Sequence, residues 1–270
     1  MSNESQETPT EERIEGRGRS RTKTSSRPRN AIHLVMQSKG GVGKTVVAGL
    51  IAQHLKEEGE EVRCLDLDSL NPSFAGISAL GAERVDLIAA DGGTDVESMN
   101  ACFAGVMTSD ITTVIDTGAS SFAPLSEYLL GTGLLAMMAA KGRRIVVHVP
   151  LVGGEAMKET AAAFKALVGT FPPGAEFVIW LNEFFGPVET DDGTRFEDTA
   201  MVDNVRDRVA GIVVLRRMHP KFEGATFRKL LQQRMTFAEG LGDASPFDMI
   251  SKLWLEGIWS AIRPQITAVA

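Results

Sequence analysis

The sequence Gln37-Ser38-Lys39-Gly40-Gly41-Val42-Gly43-Lys44-Thr45 stands between an apolar run, residues 31–37, and a helix-like stretch that begins near Gly43. Glycines let successive backbone N–H groups turn inward around phosphate oxygens, because a Cβ would block the turn or the approach. The last lysine adds a positive charge for the phosphates, the threonine offers a hydroxyl to Mg²⁺, and the helix N-terminus adds its dipole. The pattern predicts an ATP-binding phosphate loop with these contacts: Gly40, Gly41, Val42, Gly43, Lys44, Thr45 and Val46.

Outward from this loop, short runs rich in β-branched residues alternate with helix-like stretches. Such alternation is typical of a parallel sheet covered on both faces. We therefore predict an α/β fold with a doubly wound, mostly parallel sheet that carries the phosphate loop. The predicted strands are residues 31–37, 62–67, 85–89, 111–115, 144–149, 177–181 and 211–215. Residues 125–140 are apolar but shorter than the roughly 20 residues that span a bilayer, so we predict a buried crossover helix there.

Charge divides the chain into two parts. The formal net charge is −7 overall, +2 over residues 1–30 and −9 over residues 31–270. The first part is too poor in apolar residues to offset its ordering entropy, so we predict a disordered basic and polar tail before a single domain at 31–270. Contact of the tail with DNA, anionic lipid or an acidic partner stays open. Two cysteines exclude a disulfide framework and favour the reducing cytoplasm.

Acidic side chains end two of the predicted strands. Asp66 and Asp68 lie two residues apart, so an extended backbone places both carboxylates on the same side, near the phosphate loop if this strand neighbours the first. By themselves the two could equally be solvated or cap a helix. Asp116 ends the apolar strand 111–115 in the manner of a Walker B segment, which predicts that it holds a Mg²⁺-bound water. Asn182 follows strand 177–181 and alone would be a routine turn residue.

The loop departs from the plain P-loop pattern, since Ser38 replaces the first glycine and Lys39 precedes the glycine pair. This arrangement resembles the deviant Walker A loop of the ParA/MinD family of ATPases. The resemblance implies an ATP-dependent homodimer in which Lys39 reaches the phosphates bound by the partner, as an arginine finger supplied in trans would. It argues against related small-molecule synthetases, which do not use this lysine across a dimer.

The same resemblance assigns roles to the acidic residues. It implies a slow, partner-stimulated ATPase in which Asp68 orients the attacking water and Lys39 and Lys44 complete the catalytic set. It also implies that Asp66 supports the Mg²⁺ shell formed with Thr45 and Asp116, and that Asn182 reads the adenine. The metal ligands are thus expected to be Thr45, Asp66 and Asp116.

Four later segments are more particular than the loop: residues 116–129, 153–156, 178–196 and 234–237. They resemble the TraL branch of the family, which acts in conjugal transfer of plasmids. The resemblance implies a switch protein that engages the transfer machinery through ATP-dependent dimerisation. A plasmid partition or positioning ATPase, and a small-molecule ligase or kinase of the same fold, remain alternatives. An amphipathic C-terminal helix over residues 247–262 lacks a cationic flank, which argues against stable membrane association.

Overall fold

A central sheet organises the molecule. The structure is a computed structural model that describes Met1, residues 30–89 and residues 92–270, so most of the predicted tail lies outside the described residues. Within them, seven parallel strands are ordered β3-β2-β4-β1-β5-β6-β7. The strands are β1 (Ile32–Val35), β2 (Val62–Leu67), β3 (Glu83–Arg84), β4 (Thr112–Thr117), β5 (Ile145–Val152), β6 (Ala175–Asn182) and β7 (Val209–Leu215).

Helices cover both faces of the sheet, as its buried central strands require. On one face, alternate strand residues such as Ile32 and Phe177 pack against α2 to α6, and on the other, residues such as Val35 and Trp180 pack against α1 and α7 to α9. The helices are α1 (Lys44–Glu57), α2 (Val96–Thr108), α3 (Phe122–Gly131), α4 (Leu134–Ala140), α5 (Met157–Thr170), α6 (Ala200–Asp203), α7 (Glu223–Gln232), α8 (Phe237–Leu241) and α9 (Met249–Val269). The predicted doubly wound parallel sheet is confirmed.

The prediction of a strand at residues 85–89 is wrong. The edge strand β3 comes earlier and pairs only Glu83 and Arg84 with β2. Beyond it, the Leu87 N–H donates to Ser69 Oγ at 2.9 Å, and Ile88 forms an isolated antiparallel bridge with Thr94. The apolar side chains in this stretch therefore serve a loop that covers the sheet edge.

The prediction of one crossover helix at residues 125–140 is also wrong. The chain breaks between α3 and α4 at Gly133, whose φ of 65° is the left-handed conformation that favours glycine, and the two helices are bent by 58°. Among the described residues, no single helix is long and apolar enough to cross a membrane, and this bent pair passes that test only when its two halves are taken together.

Candidate functional site

The phosphate loop lies at the carboxyl end of β1, where the chain turns into α1. Gly41 and Gly43 have φ values of 75° and 96°, and Gly43 is the N-cap of α1 without a side-chain cap. These conformations require glycine, and they leave the first N–H groups of the helix free for an anion. The loop borders a cleft of about 500 Å³ that Thr45, Asp68 and Ser120 also line.

Gln37 anchors the base of this loop and was missed by the sequence analysis. Its side chain is fully buried, and its Nε2 donates to the carbonyls of Pro150 at 3.0 Å and Thr160 at 3.2 Å. Its Oε1 accepts the Ser38 N–H at 2.9 Å. One feature of the sequence could have indicated this role: Gln37 is a polar residue directly after a buried strand, and a buried amide needs hydrogen-bond partners.

Lys44 is held inside the loop. The residue is 7% exposed, and its Nζ donates to the Lys39 carbonyl at 2.9 Å. Burial lowers the pKa of Lys44, while the nearby carboxylates of Asp116 and Asp68 oppose that shift. A buried ammonium that is bonded to a carbonyl gains a strong counter-charge when an anion enters the loop.

Thr45 and Asp116 form the centre of the site. The Thr45 hydroxyl donates to Asp116 Oδ2 at 2.6 Å, and Asp116 is 1% exposed. Its other oxygen, Oδ1, is buried with no hydrogen-bond partner. Burial is the main cause that raises the pKa of Asp116 to about 7, and the charges of Asp66 and Asp68 add to it, whereas the Thr45 bond and Lys44 oppose it. An unpartnered buried carboxylate oxygen beside a threonine hydroxyl fits the oxygen ligands that Mg²⁺ prefers.

Asp66 lies beside Asp116 in the sheet, since β2 and β4 pair these two residues in register. Asp66 is fully buried, and both of its oxygens are already bonded: Oδ1 accepts the Asp68 N–H at 3.0 Å, and Oδ2 accepts the Ala75 N–H at 2.8 Å. Burial raises the pKa of Asp66, and the two N–H bonds oppose that rise. The sequence analysis placed the acidic pair near the loop on condition that this strand neighbours the first; β4 instead lies between β2 and β1, so Asp66 lies one strand further out, beside Asp116.

Asp68 is half-buried at the edge of the cleft. Its Oδ1 accepts the N–H groups of Leu70 at 3.2 Å and Asn71 at 3.0 Å. It also lies close to the loop after β4, because a methyl group built on Gly118 would lie 2.7 Å from Asp68 Oδ1. A glycine at position 118 is therefore what admits this carboxylate.

Lys39 lies outside the cleft lining. Its Nζ pairs with Glu159 Oε2 in the first turn of α5 at 2.9 Å, and the two side chains are 42% and 52% exposed. The sequence analysis did not identify Glu159, because nothing in the local pattern links residues 120 positions apart. Asn182 does reach the loop, since its Nδ2 donates to the Val42 carbonyl at 3.0 Å.

The site has no preformed metal cage. Among residues 30–89 and 92–270, no group of three or more His, Cys, Asp or Glu side chains is placed to hold a metal ion. Mg²⁺ characteristically binds through one or two carboxylates together with substrate phosphates and water. The pair Thr45 and Asp116 is therefore suited to a metal that arrives with a nucleotide.

Comparison with known proteins gives three findings. Residues 29–116 match the family described as ParA: NUBPL iron-transfer P-loop NTPase. Protein TraL of Escherichia coli is 36% identical over 216 residues, which are 79% of this chain and 88% of TraL, and Protein MobD of Acidithiobacillus ferrooxidans is 31% identical over 118 residues, 43% of this chain and 49% of MobD. The MinD cell division protein of Aquifex aeolicus aligns with a TM-score of 0.46 at 13% identity, covering 85% of this chain and 97% of MinD.

Proposed function

Since this chain belongs to the TraL family of ParA-type P-loop NTPases, we propose that it is an ATP-binding and ATP-hydrolysing switch. The proposal rests above all on one observation: Thr45 bonds Asp116 beside the charge of Lys44, and a buried oxygen of Asp116 has no hydrogen-bond partner. Thr45 and Asp116 would hold Mg²⁺ with the nucleotide phosphates, and Asp66, whose two oxygens both accept backbone N–H groups, would lie behind this pair. When bound, Mg²⁺ would neutralise charge on the phosphates.

A second cavity, of about 300 Å³, adjoins the loop at Gly41 and Gly43. Its lining includes Asn182 and apolar side chains such as Phe185 and Phe227. Three arginines complete the lining. A mainly apolar cavity with an amide and guanidinium groups at its wall suits a purine base, with the phosphates held on the loop side. This arrangement supports ATP as the ligand and Asn182 as a contact of its base.

Hydrolysis and dimerisation are the further parts of the proposal. Asp68, at the cleft edge, would accept a hydrogen bond from the attacking water and orient it. Lys39 would supply its charge to the partner's phosphates, and for that it must leave Glu159. Breaking this ion pair costs little free energy, because an ion pair between two exposed side chains contributes roughly 0–1 kcal/mol.

The proposed biological setting is supported by relationship alone. We place the switch in plasmid conjugal transfer, where the ATP-bound dimer would engage a protein of the transfer machinery. The related plasmid partition role would instead require salt-sensitive binding to DNA. A ligase or kinase would turn over ATP only with a small acceptor, which makes turnover by the isolated protein informative.

Nucleotide binding is tested with the variant Lys44→Ala. A fluorescent ATP analogue is titrated into the wild type, Lys44→Ala and the exposed control Lys165→Ala, each with Mg²⁺. We expect binding to fall by about 100-fold or more only in Lys44→Ala, because a buried charge on the phosphates is lost. Equal affinity in all three proteins would contradict the proposed site.

The switch is tested with Asp68→Ala, which should trap the ATP state. Light scattering in Mg·ATP and in Mg·ADP should give a doubled mass only with ATP, while the exposed control Asp203→Ala hydrolyses ATP like the wild type. A monomer of Asp68→Ala in both nucleotides would refute the role of Lys39 in trans. Undiminished phosphate release by Asp68→Ala would refute the role of that carboxylate.

A further inference from the structure

Arg234 has an unusual backbone conformation. Its φ is 55°, and among the described residues it alone combines a positive φ with a side chain. It lies just beyond the C-cap residue of α7. The Arg234 N–H donates to the Leu231 carbonyl at 3.0 Å and the Met235 N–H to the Leu230 carbonyl at 3.2 Å. This is the Schellman closure of a helix, in which the left-handed residue is usually glycine. An arginine held there points to a use of its side chain.

The side chain of Arg234 lies against Gly76. A methyl group built on Gly76 would lie 2.7 Å from both Cδ and Cζ of Arg234, which is closer than real Cβ contacts. Glycine at position 76 therefore lets the guanidinium lie on the backbone, and any Cβ there would force the Arg234 side chain to shift. The two residues are complementary. Gly76 leaves room for the arginine side chain, and Arg234 occupies a backbone conformation that usually favours glycine.

Gly76 belongs to a segment, residues 69–77, that is tied to the candidate nucleotide site. The neighbouring Ala75 N–H donates to Asp66 Oδ2 at 2.8 Å. Ser73 of the same segment lines both the phosphate cleft and a separate cavity of about 310 Å³, which Thr45 and Arg234 also line. A change in the bonding of Asp66 would thus move the backbone on which Arg234 rests.

On its other side, Arg234 leads directly into the packed helices. Thr236 and Glu239 form a capping box that begins α8. The Phe237 N–H donates to Gln53 Oε1 of α1 at 2.7 Å, and the Phe237 ring stacks on Trp259 of α9 at 5.0 Å. Displacement of Arg234 would therefore reach α8 and α9 through rigid contacts.

We infer that Arg234 is a positioning residue that couples segment 69–77, beside Asp66, to the helical face formed by α7, α8 and α9. The inference rests on the proposed function, because Mg·ATP is the ligand that would perturb Asp66. Binding of ATP would then be transmitted to this face, and a partner bound at the face would change ATP affinity by the same factor.

The test compares amide hydrogen exchange in wild type, Arg234→Gly and Gly76→Ala, with the exposed Lys165→Ala on α5 as a control. Arg234→Gly removes the contact while the backbone keeps a conformation that glycine favours, so its melting temperature should not fall. Without nucleotide, exchange in residues 69–77 should rise about fivefold or more in both variants and stay unchanged in the control.

With Mg²⁺ and a slowly hydrolysed ATP analogue, wild type should show slower exchange in residues 234–241, and Arg234→Gly should lose that response while its nucleotide affinity stays within about threefold of wild type. An unchanged exchange rate in residues 69–77, or a persisting response at 234–241, would overturn the coupling. Failure of wild type to bind the nucleotide would instead refute the proposed function.

Discussion

Replacement of Asp116 by asparagine should change how stability depends on pH in the nucleotide-free protein. The pKa of this carboxyl is about 7 in the fold, against an ordinary value of 3.8, chiefly because it is buried. At about 1.4 kcal/mol per pKa unit, the ionised carboxylate costs the folded state on the order of 4 kcal/mol. Ionisation of Asp116 at the candidate metal site therefore lowers the free energy of unfolding of the nucleotide-free protein.

The direction in which stability changes with pH follows from the number of protons that the folded and unfolded chains bind. Below about pH 4 the carboxyl is protonated in both the folded and the unfolded chain, so it does not affect stability. Between about pH 4 and pH 7 only the unfolded chain ionises, and stability falls as the pH rises; above pH 7 the full penalty persists. An asparagine side chain cannot ionise, so the variant Asp116→Asn lacks this decline.

The assay is urea unfolding of wild type, Asp116→Asn and the exposed control Asp203→Asn in EDTA. Relative to Asp116→Asn, wild type should lose about 3 kcal/mol between roughly pH 4.5 and pH 8, since part of the effect is complete at the lower pH. The asparagine leaves a buried NH₂ where Asp116 Oδ1 has no partner, which costs about 1–3 kcal/mol at every pH. Because this cost is the same at both pH values, it does not affect the change in stability between them.

A relative change below about 1 kcal/mol, or one of opposite sign, would refute the reasoning, because it would mean that Asp116 is ionised in the fold without penalty. The control should follow wild type throughout. Titration of buried groups that do not interact with Asp116 is common to all three proteins and cancels, whereas Lys44, Asp66 and Asp68 interact with its charge and contribute part of the difference.

Three other predictions test separate parts of the molecule. Gly118→Ala should displace the Asp68 carboxylate, which a new methyl would approach to 2.7 Å, and reduce ATP turnover about tenfold or more at nearly constant nucleotide affinity; equal turnover would contradict the placement of Asp68. Glu159→Ala frees Lys39 from an exposed pair, so denaturant unfolding should show less than about 1 kcal/mol of lost stability. Phe164→Ala removes a fully buried ring that meets two others edge-on at 6.1 Å, and its free energy of unfolding should fall by about 3–5 kcal/mol.

Sequence patterns predicted most of the fold because its signals are local. Strands β1, β2, β4, β5, β6 and β7 were predicted from apolar, β-branched runs, and α1 from the phosphate loop that precedes it. The failures occur where local pattern is ambiguous. Residues 85–89 have strand composition but leave the sheet edge, and residues 125–140 have continuous helical composition but bend at Gly133. At residues 85–89 the pairing and packing of neighbouring elements decide the conformation, and at residues 125–140 the left-handed Gly133 separates the two helices.

The amino-acid sequence by itself determined the phosphate loop, the parallel sheet and the acidic residues at the strand ends, because each of these features depends on residues that lie a few positions apart. Only the tertiary structure decided that Asp116 has an unpartnered oxygen, that Lys39 pairs with Glu159, and that Arg234 rests on Gly76. These contacts join residues far apart in the chain. The energies of these contacts depend on burial and on the distances between elements. Packing of the whole chain sets both, so a local sequence pattern does not reveal them.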